Sequence, residues 1–210
     1  MKTPLAFRHL LGAASLALPL IAFAESNLQT GAGALTATAH VDFQMTIPQI
    51  LYLRVGTGSS YTTGVLAANA AVDLVTFSPT AAQLGNGTAI AGTGGNLAGG
   101  AETAAVVSNS GNVTLKATSA GALGDGVGDS VPFTQIKTAA TAGSFATLLP
   151  APVLQNGASA NLIITAPASK IIQADAKWTY TYANSNLVPT GTYGGVNAHN
   201  SRVVYTATMP

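Results

Sequence analysis

One stretch constrains the fold more than any other. In LTATAHVDFQMTI, the residues Leu35, Ala37, Ala39, Val41, Phe43, Met45 and Ile47 alternate without a break with Thr36, Thr38, His40, Asp42, Gln44 and Thr46. Successive side chains of an extended chain point to opposite faces, so this period of two predicts a strand with one apolar, buried face. At about 3.3 Å per residue it would reach on the order of 40 Å, longer than an ordinary strand. Either it bends between two sheets or part of it protrudes.

The rest of the chain repeats the theme in shorter pieces. Pro48 lacks a ladder donor and places a kink or an edge before QILYLRVG, a second strand. AVDLVTFSP, residues 71–79, is a third, and the glycine-rich text from Gln83 to Gly100 reads as a long loop. TAAVVSNSGNVTLKATS, residues 103–119, reads as two strands joined by a hairpin turn at Asn109-Ser110-Gly111. VPFTQIKT and SANLIITAP follow, and KWTYTYAN is expected to pair with RVVYTATMP across a loop rich in Gly and Pro. Helical periodicity is weak, and no tandem repeat is visible. Short strands with turn signals at this spacing predict an all-β fold, an antiparallel β-sandwich, with residues 25–210 as a single domain.

The first 24 residues have another character. Lys2, Arg8 and His9 precede an apolar run from Leu10 to Ile21 and the small-residue pattern Ala22-Phe23-Ala24. This predicts a signal peptide, residues 1–24, cleaved before Glu25, because the run is interrupted by Pro19 and is shorter than the ~20 residues a membrane anchor needs. No later segment reads as a transmembrane span. The expected location is therefore secreted: the cell surface or the extracellular space, reached through the periplasm.

Charge excludes several functions. Without Lys2 and Arg8, six Lys and Arg face seven Asp and Glu, and the cations do not cluster, which argues against nucleic acid. A surface of Thr, Ser, Asn and Gly repels other copies only weakly, so self-association is easy. There is no cysteine, hence neither thiol catalysis nor a thiolate metal site.

Enzymatic chemistry is not expected. Beyond the leader the histidines are His40 and His199 and the glutamates are Glu25 and Glu102, with no nucleophile elbow and no paired-carboxylate arrangement. No cofactor motif is present. GDGVGDS, residues 124–130, is a weak calcium candidate through Asp125 and Asp129, but a solvated turn is the simpler reading of so few ligands. In KWTYTYAN, Trp178, Tyr180 and Tyr182 share one side of an extended chain, opposite Thr179 and Thr181. They form either one wall of a core, the favoured reading, or a glycan-stacking face, which would make the protein a secreted carbohydrate- or matrix-binding module.

The leader, the alternating strand LTATAHVDFQMTI, the Thr- and Gly-rich middle and the closing strand RVVYTATMP together resemble bacterial fimbrial subunits and related pilin-like surface proteins. The resemblance implies an incomplete immunoglobulin-like sandwich completed by an extended segment of a neighbour, a case of strand addition. It places the donor within Ser26 to Ile47 and puts Val203, Tyr205, Ala207 and Met209 on one face of the terminal strand. It also implies a structural or adhesive subunit of a fimbria-like assembly, self-association or other surface subunits as partners, and a periplasmic chaperone. Two departures stand out: many such subunits carry a disulfide near the first strand, and an aromatic residue next to last where this chain has Met209.

Overall fold

The computed structural model describes residues 26–61 and 68–209. The expected leader lies outside the described residues. The chain divides into two compact units, residues 1–47 and 48–210.

In the first unit, residues 26–47 belong to no sheet and every one of them is exposed. The expectation of a strand with a buried face is therefore corrected for Leu35 to Ile47. Alternation encodes the capacity to lie half-buried in a sheet; it does not supply the partner.

The second unit is built of strands β1 (Leu51–Val55), β2 (Val75–Thr76), β3 (Ile90–Ala91), β4 (Thr93–Gly94), β5 (Ala101–Ser108), β6 (Val113–Ser119) and β7 (Leu123–Gly124). These are followed by β8 (Ser130–Val131), a 3-10 turn at Phe133–Gln135, β9 (Ile136–Ala142), β10 (Thr147–Leu148), β11 (Leu162–Ile164), β12 (Ile172–Tyr182) and β13 (Val203–Thr208). The larger sheet is organised on β12. One edge of β12 pairs antiparallel with β5, from Ile172↔Ser108 to Thr179↔Ala101, and β3 continues that side at Thr181 and Tyr182. The other edge carries β9 from Ala176↔Ala142 to Tyr182↔Ile136, plus a short parallel pairing with β10. β1 pairs with β5 and forms the sheet's border. The second sheet runs β11-β6-β13, all antiparallel.

The two sheets enclose one main core in an antiparallel, immunoglobulin-like β-sandwich. Ala104 and Val106 of β5 and Ala174, Ala176 and Trp178 of β12 face Val113, Leu115 and Ala117 of β6. β6 shows why the sequence folds this way: its burial alternates strictly, with Val113, Leu115, Ala117 and Ser119 inward and Thr114, Lys116 and Thr118 outward. Trp178 is fully buried, donates its indole N–H to the Leu149 carbonyl at 3.0 Å and lies 5.4 Å, centroid to centroid, from the Tyr205 ring. The polar end of the ring is thus satisfied inside an apolar core.

Two pairings expected from the sequence are corrected. β5 and β6 are not a hairpin but lie in different sheets. Their link is bound to other segments: the Asn109 side chain accepts the Ile50 N–H and donates to the Pro48 carbonyl, Gly111 N–H reaches the Lys170 carbonyl, and Asn112 accepts from Ala166 N–H. These bonds carry the chain over the edge of the sandwich instead of folding it back. Likewise β12 and β13 do not pair but face each other across the core, where the Tyr180 and Tyr205 hydroxyls are 3.0 Å apart. The glycine-rich text from Gln83 to Gly100 is not wholly loop either, since it holds β3 and β4, whereas only Val75–Thr76 of the expected strand at 71–79 is paired.

Candidate functional site

Two border strands come together along one flank of the sandwich. β1 borders the larger sheet and β13 the smaller; among the described residues β1 pairs only with β5 and β13 only with β6. β1 and β13 approach each other on that flank. Their relative direction follows from two contacts. Leu51 is in register with Ser108, whose hydroxyl meets the Met209 sulfur at 3.4 Å, so the start of β1 lies by the end of the terminal strand.

Burial marks these strands as borders. Residues of the central strands that face the core, such as Val106, Leu115 and Trp178, are fully buried. Leu51, Leu53 and Val55 of β1, and Val203, Tyr205 and Ala207 of β13 with Met209 beyond it, pack on the same core yet remain only partly buried. Both walls are apolar except for the Tyr205 hydroxyl, which is bonded to Tyr180. Burial pushes the Tyr205 phenol up to about 12, and it raises that of Tyr180 as well, so this pair stays uncharged at any ordinary pH. Each rim also carries the alternate amide N–H and C=O groups that an antiparallel edge directs away from its single partner. Such a flank is suited to one extended chain with an apolar face.

The first unit contains a segment of that description. Phe43 is 93% exposed, Met45 84%, Val41 and Ile47 72% each and Leu35 50%. With Ala37 and Ala39 they are the alternate residues picked out in the sequence.

Other expected site residues fall elsewhere. Trp178, Tyr180 and Tyr182 are 0%, 7% and 8% exposed, so the glycan-stacking face is corrected: all three rings are core wall. Large rings on a central strand between two sheets have no route to solvent. Asp125 and Asp129 lie on an exposed turn in which the Asp125 Oδ1 accepts the N–H groups of Val127, Gly128 and Asp129 at 2.9–3.0 Å. Those bonds hold the Asp125 carboxyl below the usual carboxylate range and account for the loop's shape. Among the described residues, no three His, Cys, Asp or Glu side chains come together as metal ligands. No described helix is long and apolar enough to cross a membrane.

Sequence reasoning missed β1 as a wall and missed a polar cluster at its far end. Glu102, 5% exposed, accepts the Asn96 N–H at 3.1 Å, and the Asp73 carboxyl lies near it. Asp73 in turn accepts the Thr57 N–H at 2.5 Å and hydroxyl at 2.8 Å. Room for the two carboxyl groups comes from Gly56, at φ 89°, where an added Cβ would run into both, while at Gly95, at φ 80°, it would meet the Ala101 carbonyl first and then Glu102. Burial, with the Asp73 charge adding to it, pushes the Glu102 carboxyl up to about 7. The signal in the sequence was a glutamate at the second position of an apolar strand that follows Gly99-Gly100.

The chain matches no protein-family model, no curated protein and no solved structure.

Proposed function

We propose that this protein is an exported structural or adhesive subunit of a fimbria-like bacterial surface assembly. Its copies join by strand addition: residues 35–47 of one copy lie in the flank between β1 and β13 of the next. One observation carries the reading, namely that the body has a half-buried apolar flank whose two border strands each pair with one strand among the described residues, while the same chain holds an exposed segment of matching alternation that belongs to no sheet. Strand addition satisfies both needs at once. Main-chain hydrogen bonds along the rims supply affinity, and alternate side chains entering the core supply register.

Energetics favour closure. Fully burying a Phe, Met, Val or Ile side chain contributes about 1.5–3 kcal/mol, and four such residues of the segment are more than 70% exposed. The low charge of the chain leaves little repulsion against head-to-tail contact. Before assembly the same flank suits a periplasmic chaperone that lends a strand. No catalytic residue is assigned, and the glycan-binding alternative loses its basis with the burial of Trp178, Tyr180 and Tyr182.

The reading is tested on the exported mature chain by size-exclusion chromatography and negative-stain electron microscopy. Filaments or a ladder of oligomers are expected; a strictly monomeric protein at all concentrations would rule the reading out.

A further inference from the structure

The outer face of the larger sheet carries a pocket that strand addition does not use. We propose that it binds a small zwitterion, a ligand with an ammonium group at one end and a carboxylate or phosphate at the other.

The floor of the pocket follows from register. Arg54 of β1, Ala105 of β5 and Asp175 of β12 lie opposite one another in one row across three neighbouring strands. Their chain neighbours Leu53, Val106 and Ala174 pack into the core, so the row points outward. Neighbouring strands are about 4.8 Å apart, which sets the backbones of the cationic and the anionic residue on the order of 10 Å from each other. The small side chain of Ala105 leaves the space between them open. Two loops close over it. The segment after β1 is tied back by the Tyr52 hydroxyl, which donates to the Ser59 carbonyl at 2.5 Å. The turn between β9 and β10 comes so near to Asp175 that a Cβ on Gly143 would run into its carboxyl group. These loops bring in Tyr61 and Phe145. The Tyr61 ring is 6.5 Å from that of Tyr52 and 6.4 Å from that of Phe145, centroid to centroid. The result is a pocket of about 240 Å³ lined by three aromatic rings, a guanidinium and a carboxylate. A cavity of roughly 150 Å³ takes up benzene, so this one has room for a ligand of about ten heavy atoms.

Both charged groups are fixed by the main chain, and both keep bonding capacity. Arg54 donates through Nε to the Gly56 carbonyl at 2.8 Å and through Nη1 to the Ser59 carbonyl at 3.5 Å, and among the described residues its remaining N–H groups have no partner. Asp175 is 8% exposed; its Oδ1 accepts the Phe145 N–H at 2.8 Å and its Oδ2 the Ser144 N–H at 2.7 Å, which leaves each oxygen a further lone pair. Charge then selects the ligand. A neutral guest would displace water from a guanidinium and a buried carboxylate and offer an opposite charge to neither. A simple cation or anion would answer one and leave the other. A zwitterion answers both: its anionic end meets the fork of Arg54, and its ammonium end lies at Asp175 beside the rings of Phe145 and Tyr61, whose faces attract a cation.

The test uses the full mature chain, single or assembled, and saturation-transfer difference NMR, which reads the protons of the ligand. With irradiation of the protein's aromatic protons, the N-methyl signals of glycine betaine, of phosphocholine or of both are expected to rise and saturate with concentration, and the tighter of the two identifies the anionic end as carboxylate or phosphate. Choline, which lacks the anionic end, is expected to bind about tenfold more weakly than phosphocholine, and Arg54→Gln to weaken zwitterion binding by a similar factor. The absence of a saturable signal from both zwitterions would overturn the proposal, as would glucose saturating where they do not, or Arg54→Gln binding as tightly as wild type. Should that variant fail to fold, wild type alone decides, since choline binding as tightly as phosphocholine would also refute a site for two opposite charges.

Discussion

Replacing Phe43 with aspartate is expected to abolish assembly while leaving the thermal midpoint of the body unchanged. The side chain is 93% exposed in the isolated chain, so its loss removes nothing from the core of the sandwich. In the assembled state it would lie among Leu53, Val55, Tyr205 and their neighbours. There the substitution forfeits about 1.5–3 kcal/mol of burial and adds the cost of a carboxylate without a partner. Each 1.4 kcal/mol is a factor of about ten in affinity, so subunit contact should weaken by several orders of magnitude. Gln44→Asp, on the opposite face of the same segment, is the control. Analytical ultracentrifugation of both variants at matched concentration separates the two faces: equal behaviour would mean that the alternation has no role in contact.

The second large effect is expected at Trp178. Trp178→Ala should destabilise the body by about 3–5 kcal/mol, the range for removing a large aromatic ring from a packed core, and should leave the Leu149 carbonyl without its donor. Against a typical domain stability of about 5–15 kcal/mol this is a major fraction. Trp178→Phe restores part of the volume but not the N–H donor, so it should fall between the two. Urea unfolding followed by circular dichroism measures both. A loss below about 1 kcal/mol for the alanine variant would mean that the ring is not the centre of the core, since surface substitutions fall in that range.

The fold class was legible because it rests on local periodicity. β6, β12 and β13 are visible as alternation, and the inward set Trp178, Tyr180 and Tyr182 follows from the outward Thr179 and Thr181. Pairing was not legible. The turn signal at Asn109-Ser110-Gly111 looks the same whether the chain folds back or crosses to the other sheet, and the decision lies with distant partners such as Lys170 and Ala166. Length was misread for a related reason: in the stretches at 71–79 and 159–167 a β-prone run contributes only two or three paired residues, because neighbours, not propensity, set where a ladder ends.

Half of the candidate site could be read from the residues. Leu35 to Ile47 announces an apolar face, but that it is exposed and belongs to no sheet appears only once the sheets are drawn. The flank left a fainter trace. Leu51, Leu53 and Val55 alternate over five residues, too few to distinguish a border strand from a central one, and only their half-burial does so. The Glu102 and Asp73 pair joins residues far apart in sequence through two turns, and no local pattern marks such a meeting.

The chain has no cysteine, and this permits a direct test of the central claim. Ala39→Cys, Val41→Cys and Met45→Cys are each made in a chain with one epitope tag, and Ala207→Cys in a chain with another, and pairs are mixed during assembly and oxidised. A disulfide forms only where the two Cα atoms come within about 7 Å. At least one of the three pairs is expected to give a dimer carrying both tags, while Gln44→Cys, on the outward face, gives none. If no mixed dimer forms, residues 35–47 do not fill the flank of a neighbour.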